Sequence, residues 1–373
     1  MNKIYSPLAL LIIIILFFLR LLPYKHVYLE SFNLTEITRA YQSSQFAPLP
    51  QHRQEVIQDW DLYPYAGVIY LTTGELGKIN IEHPPLGKYL LAISYLLLGN
   101  PTIVQLPLAI IFLFFVFLIS KKFLKNEWLA LTIPLLLLTE PMFIFQATHS
   151  HIDLFLAAMT AVFLWLVLIR KRPGYKDCIL LGLVLGIITS IKFPALALIL
   201  AICYFLSWLV KSRKNPWQLL ITFGLAILVY LAAYSPFLIS SGFSGFIDLQ
   251  SRALRLHLSH VPEYPPLAPL RVMFFNQWPT WWDPNIPVLP TTDWQITWPL
   301  LAMSILASPI LYWKSNNKKP ILILFLFCWA YFIFINSRLF FPGYLLIILP
   351  YLYLFLILEL KLIREFLIKS LTD

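Results

Sequence analysis

Residues 102–172 read TIVQLPLAIIFLFFVFLISKKFLKNEWLALTIPLLLLTEPMFIFQATHSHIDLFLAAMTAVFLWLVLIRKR. Three apolar runs lie there, near 102–120, 128–145 and 152–169. The link after the first holds Lys121, Lys122 and Lys125; the link after the second holds His149, His151 and Asp153; Arg170, Lys171, Arg172 and Lys176 follow the third. About 20 residues of apolar helix cross a bilayer core, so such runs predict membrane spans. Short basic links stay in the cytoplasm, so their alternation with non-basic links sets the orientation. A β-barrel would instead show segments of about ten residues with weak alternation.

Working outward, further runs near 6–22, 178–191, 195–210, 217–239, 296–313, 320–335 and 341–358 bring the expectation to about ten transmembrane helices. Lys211, Arg213, Lys214, Lys314, Lys318 and Lys319 continue the cytoplasmic set, and both termini face the same way. Leu86–Leu98 is apolar but short, and a full span there would break the alternation. It is therefore expected to be a re-entrant or interfacial helix. The run from Leu8 to Leu22 lacks a small-residue cleavage site and contains Arg20 just before Pro23, which predicts an uncleaved first span.

Composition agrees with an all-α polytopic membrane protein of one domain, residues 1–373. Of its residues 59% are hydrophobic and 12% charged, with a mean hydropathy of +0.75. Soluble chains carry about 25% charged residues, so a soluble enzyme, a disordered chain and a disulfide scaffold are excluded. Cys178, Cys203 and Cys328 fall inside apolar runs and read as small buried hydrophobes. The net charge of +10 is accounted for by the cytoplasmic links, so it does not argue for nucleic acid.

Two long segments, 23–88 and 240–295, are placed on the extracytoplasmic side. All seven histidines (His26, His52, His83, His149, His151, His257 and His260) map to that side. Most acids do too, including Asp59, Asp61, Glu75, Glu82, Glu140, Asp153, Asp248 and Glu263. Trp278, Trp281, Trp282, Trp294 and Trp298 crowd the second segment, as interfacial anchors do. Anchoring does not explain the histidines and acids, so chemistry is expected outside.

Three stretches can carry it. In Asp59-Trp60-Asp61-Leu62-Tyr63-Pro64-Tyr65-Ala66, an ionised acid near the membrane surface can take a proton from a hydroxyl. In Glu82-His83-Pro84-Pro85-Leu86-Gly87-Lys88, two prolines forbid helix before Pro84 and feed one near Leu86, holding Glu82 and His83 at a fixed angle. Lys88, one turn into that helix, can snorkel or meet an anion. In His149-Ser150-His151-Ile152-Asp153, the aspartate opens an apolar helix where the dipole favours negative charge. The histidines and Asp153 include zinc-type donors, but the spacing is not a zinc signature. Lys192, Arg255, His257 and Arg338 add positive or basic groups on the outer side, where a phosphate would serve as partner.

These stretches resemble motifs of the GT-C glycosyltransferases, in particular the dolichyl-phosphate-mannose–protein mannosyltransferase and aminoarabinose transferase superfamily. Asp61 to Ala66 is similar to its D-E-x-x-Y-A motif, and Glu82 to Lys88 to its acid-x-H-P-P-L-x-K motif. Asp153-Leu154-Phe155-Leu156 resembles D-x-x-L, Gly182 to Lys192 resembles G-x-x-x-G…K, and Arg338…Tyr344…Pro350 resembles R…Y…P. No single motif is specific, but five in order are. Leu62 stands where the family has glutamate, so either Asp61 acts alone or Asp59 substitutes. The arginine that often precedes the second aspartate is missing.

The resemblance implies a transferase moving a sugar from a polyprenyl-phosphate carrier to an extracytoplasmic acceptor, which is a protein, lipid or glycan hydroxyl. It implies Asp61 as general base, with inversion for a β-linked donor, and Asp153 and Glu82 beside it. Asp59, His83, Lys88, His149, His151, Lys192, Arg255, His257 and Arg338 would bind substrate. A divalent ion on Asp61, Glu82 and Asp153 stays open, since families of this group differ on metal use. The expected location is the cell membrane of a bacterium or archaeon. A lipid-linked sugar transporter or flippase, and an inactive GT-C scaffold, remain the alternatives.

Overall fold

A computed structural model describes residues 5–46, 56–169, 174–192, 194–211, 215–259, 267–280, 287–314, 318–337 and 339–372. Arg338 lies outside the described residues. The chain is helical almost throughout. Helices α1 (Tyr5–Leu21), α2 (Lys25–Leu29), α3 (Leu34–Gln42), α4 (Asp59–Thr73) and α5 (Leu86–Leu98) come first. Then follow α6 (Gln105–Leu124), α7 (Glu127–Thr139), α8 (Pro141–Thr148), α9 (Asp153–Ile169), α10 (Tyr175–Ile191), α11 (Pro194–Lys211) and α12 (Trp217–Ala233). The last part holds α13 (Ser235–Ser259), α14 (Ala268–Phe275), α15 (Trp298–Lys314), α16 (Lys318–Asn336) and α17 (Leu349–Thr372). One antiparallel ribbon of β1 (Trp278–Pro279) and β2 (Val288–Leu289) interrupts the all-α pattern in the second long segment.

Helix limits follow local chemistry. Asn126 caps α7 by accepting from the Leu129 amide at 3.0 Å, and Asn33 caps α3 through the Glu36 amide at 3.2 Å. The Pro84-Pro85 pair gives way to α5, which stops at Gly99 in the left-handed region with φ 74°. Each apolar run expected to cross the membrane lies mainly on helix, but the 341–358 run opens as a 3-10 helix over Pro342–Ile347 before α17, and two further runs bend. The 128–145 run is split into α7 and α8 with a bend of 68°, and α12 turns into α13 with a bend of 98°. Among the described residues, two helical stretches, Pro7–Leu29 and Pro101–Leu124, are long and apolar enough to span alone, and counting each bent pair as one span gives four. Leu86–Leu98, Asp153–Ile169, Pro194–Leu209 and Pro320–Asn336 are shorter apolar helices.

Glu140 occupies the α7–α8 break. Its buried carboxylate accepts from Trp298 Nε1 at 3.0 Å and from the Tyr353 hydroxyl, which ties the break to α15 and α17. Two other tryptophans of the second long segment also do more than anchor. Trp278 Nε1 donates to the Phe340 carbonyl at 2.8 Å and Trp294 Nε1 to the Met273 carbonyl at 3.1 Å.

The core is built where α6, α9 and α10 meet, and α10 lies close along α12. Gly182 and Gly186 make that contact possible. A Cβ on Gly182 would sit 2.7 Å from the Thr222 carbonyl oxygen, and one on Gly186 would sit 2.8 Å from the Ala226 carbonyl oxygen. Small residues four apart let two helix backbones approach where apolar lipid gives no hydrophobic drive to associate. Replacing Gly186 by Val should cost about 1–3 kcal/mol by overpacking. A lowered thermal midpoint of the detergent-solubilised protein, compared with an exposed control such as Gly224→Ala, checks this.

Candidate active site

The site starts on α4. Asp59 and Tyr63 are four residues apart, hence on one helix face, and the Tyr63 hydroxyl donates to Asp59 Oδ2 at 2.9 Å. Tyr63 is buried whereas Asp59 is exposed, so the pair runs from the interior to an open mouth. Asp61 lies about 200° around the helix from Asp59. It is partly buried, and burial, followed by the Glu36 carboxylate, pushes its carboxyl up to about 6.

Lys88 holds the next wall. Its side chain is fully buried, and Nζ donates to the His83 carbonyl at 2.9 Å, the Asn80 carbonyl at 2.5 Å and the Tyr70 hydroxyl at 3.2 Å. An ammonium has three protons and all three are spent here. Lys88 therefore fixes the loop ahead of α5. Gly67 permits the approach of α4 to α5: a Cβ there would lie 2.7 Å from the Lys88 carbonyl carbon and 2.9 Å from the Ala92 Cβ. The loop presents His83 with its ring 5.8 Å from Tyr63. His257, on α13, donates through Nε2 to the Glu82 carbonyl at 2.8 Å and stacks on His83 at 6.1 Å.

The α8–α9 link supplies the third wall. His149 ends α8, with Nδ1 2.9 Å from the Phe145 carbonyl and its ring stacked on Phe145 at 4.1 Å. Trp60 meets it edge-on at 5.1 Å and reaches His151 at 5.6 Å. His151 is buried, its carbonyl accepts from Gln105 Nε2 at 2.6 Å, and neither ring nitrogen has a hydrogen-bond partner among the described residues. Burial pulls its pKa down to about 4 against the opposing pull of Asp153 and Asp59, so the imidazole is neutral at pH 7.

Asp153 and Lys192 close the group. Nζ donates to both carboxylate oxygens, at 2.8 and 2.9 Å, with both side chains buried. The Tyr344 ring lies 5.1 Å from the same ammonium. Asp153 sits at the first turn of α9 and Lys192 at the end of α10, so each charge also meets the favourable end of its helix dipole. The anion that Lys192 was expected to need is thus supplied by the chain.

Around Tyr63 the charges of Asp59, Asp153 and Glu82 all act. The structure therefore gathers Asp59, Glu82, His83, His149, His151, Asp153, Lys192 and His257, and it leaves Asp61 on the far face of α4. Arg255 is exposed on α13. Among the described residues no three His, Cys, Asp or Glu side chains are grouped to hold a metal ion. Asp61, Glu82 and Asp153 do not form the ligand set considered from the sequence. Trp60, Tyr63 and Gln105 were not singled out. The four-residue spacing of Asp59 and Tyr63 was the available signal for one of them; Gln105 carried none beyond being polar ahead of an apolar run.

Comparison with known proteins follows the same line. Residues 82–239 match the family described as dolichyl-phosphate-mannose-protein mannosyltransferase. No curated protein matches the sequence. Among solved structures, ArnT from Cupriavidus metallidurans bound to undecaprenyl phosphate is similar at 16% identity and a TM-score of 0.50, over 80% of this chain and 55% of that one. The archaeal oligosaccharyltransferase AglB from Archaeoglobus fulgidus, in complex with an inhibitory peptide and a dolichol-phosphate, is similar at 12% identity and a TM-score of 0.54, over 99% of this chain and 52% of that one. The chain thus spans about half the length of these proteins. In fold, and in sequence across its middle, it resembles the GT-C glycosyltransferases of the mannosyltransferase and ArnT kind.

The ion pair yields a stability test. Lys192→Met leaves a buried, uncompensated carboxylate and should cost about 3–5 kcal/mol. Adding Asp153→Asn should restore most of the loss, which a thermal or denaturant melt of the single and double variants would show.

Proposed function

We propose that this chain, with its GT-C fold and mannosyltransferase-like middle, transfers a sugar from a polyprenyl-phosphate carrier to a hydroxyl on the non-cytoplasmic face of a membrane. About ten crossings, with the basic links inside, would place residues 23–88 and 240–295 on that face. The observation that carries the reading is the buried Asp153–Lys192 pair with neutral His151, set against Asp59 and Tyr63 at the end of apolar helices.

In the proposed reaction the acceptor oxygen bonds to the anomeric carbon as the bond from that carbon to the phosphate oxygen breaks. The phosphate leaves with the electron pair, and the acceptor proton passes to a carboxylate. Asp59 takes this role in our reading, because it shares a face with Tyr63 and the rest of the group. Tyr63 orients it, His151 offers an uncharged hydrogen-bonding ring, and the Asp153–Lys192 pair fixes the ends of α9 and α10 beside that ring. Asp59, Asp153 and Lys192 lie at the ends of α4, α9 and α10 rather than at mid-span, which speaks for interfacial transfer over transport.

Asp61 remains a second reading for the base, since its carboxyl, raised to about 6, is nearer the optimum for a general base. The two separate cleanly. Asp59→Asn should lower kcat by about 10²–10⁴, the usual worth of a positioned base, and Asp61→Asn should leave most of it. The assay is transfer from a polyprenyl-phosphate sugar in proteoliposomes. A loss confined to Asp61→Asn, with wild-type kcat/KM rising with pH through about 6, would hand the role to Asp61. That sign follows because only the deprotonated carboxylate accepts.

A further inference from the structure

Helix α13 carries a face that the candidate active site does not use. Gly242, at φ 68°, breaks the helix near its start, and residues 243–259 continue beyond it. With about 100° between successive residues, this stretch divides into three sectors. Phe243, Ile247, Leu254 and Leu258 share a strip about 60° wide. They are 68%, 48%, 59% and 63% exposed. Ser244, Asp248, Ser251 and Arg255, all exposed, fill the sector beside it. The third sector turns inward. Phe246 and Leu249 are buried in one cluster with Leu62, Tyr65 and Tyr70 of α4, and His257 holds the Glu82 carbonyl.

A helix at the surface of a soluble protein needs two faces, apolar toward the core and polar toward water. A further face that is apolar and exposed calls for a second apolar medium. The direction of α13 says which. It leaves α12 at 98°. Spans tilt by about 20° on average from the bilayer normal, so a turn of that size lays α13 close to the membrane plane. Leu220, Ile227 and Leu228 give α12 an exposed apolar side of its own, and exposed Ile239 continues it past the bend. The medium that surrounds α12 therefore reaches α13. Charge agrees with a lipid surface. Asp248 is paired with Arg252 at 2.9 Å, while exposed Arg255 neighbours Leu258 one turn on, where a guanidinium can meet a lipid phosphate.

We propose that residues 243–259 lie in the membrane surface, in the leaflet that the Ala233 end of α12 reaches, with Phe243, Ile247, Leu254 and Leu258 sunk to the edge of the acyl chains. The partner is the phospholipid surface itself. The inference needs α12 to span a bilayer and does not depend on the transfer chemistry. It gives α13 a mechanical role. Leu249 shares its cluster with Leu76 and Ile79 of the loop ahead of α5, and His257 grips Glu82 in the same loop. A helix floating on lipid thus sets the height of Glu82 and His83 above the membrane.

The test places one nitroxide at a time on the full chain in nanodiscs of phosphatidylcholine and phosphatidylglycerol. Cys178, Cys203 and Cys328 are buried, so an added surface cysteine takes the label. Ile247→Cys and Leu254→Cys report the apolar strip, Ser244→Cys and Arg255→Cys the polar sector, and Ile227→Cys the span itself. Power-saturation EPR compares collisions with oxygen, which enters lipid, and with a water-soluble nickel chelate. The oxygen-to-nickel ratio at 247 and 254 should exceed that at 244 and 255 severalfold and approach that at 227, because the apolar face of an in-plane helix is buried about 5–10 Å into the headgroup and acyl boundary. Thermal unfolding of each labelled variant confirms that it is folded, and Phe243→Cys or Leu258→Cys replaces any that is not. Equal ratios in the two sectors would put the strip in water. Labels at 247 and 254 that meet neither reagent would put it under protein, a second copy of the chain included. Either result overturns the proposal.

Discussion

The buried contact between Asp153 and Lys192 is the constraint around which the site is arranged. Two charges withdrawn from water incur a large desolvation cost, and only close two-point geometry with supporting dipoles offsets it. Here both carboxylate oxygens are engaged, and the two helix termini present their favourable ends. The first turn of α9 and the last turn of α10 cannot separate without exposing one charge to an apolar interior. His151, two residues before Asp153, inherits its place from that anchorage, and Tyr344 beneath the ammonium does as well.

The opposite wall depends on a different economy. Lys88 gathers two carbonyls and a hydroxyl, and Gly67 lets its helix come near enough for that to happen. A lysine that reads as a ligand for anions in a linear motif is here a clamp on the backbone. The consequence is a stiff presentation of Glu82 and His83, reinforced by His257 from α13. Between the clamp and the ion pair stands Tyr63, touching both neighbourhoods through its ring and Asp59 through its hydroxyl.

Much of this was legible in the sequence because membrane helices write their positions in long apolar runs. Leu86–Leu98 emerges with the limits its glycine and prolines dictate, and α9 opens at Asp153 as its dipole favours. What escaped depends on three-dimensional turns of phrase that no linear motif carries. The aspartate pair at 59 and 61 looks interchangeable in a list of residues, yet two positions on a helix face nearly opposite ways. Choosing between them needed the knowledge that residues 59–73 are helical. Lys192 likewise looked like a cation awaiting a ligand, and its partner 39 residues earlier could be found only by bringing two helix ends together. The break at Glu140 hid inside an apolar run because one acid there resembles a tolerated exception.

That acid has a consequence for biogenesis. Its hydrogen-bonding partners, Trp298 and Tyr353, lie 158 and 213 residues downstream. A chain emerging from the ribosome makes its amino-terminal part first. The crease between α7 and α8 must therefore persist unsatisfied, or wait near water, until the helices bearing Trp298 and Tyr353 have been made. The helices that carry Trp298 and Tyr353 act as the latch on a joint made long before them, which makes their synthesis, and not early collapse, the moment when the crease acquires its lasting shape.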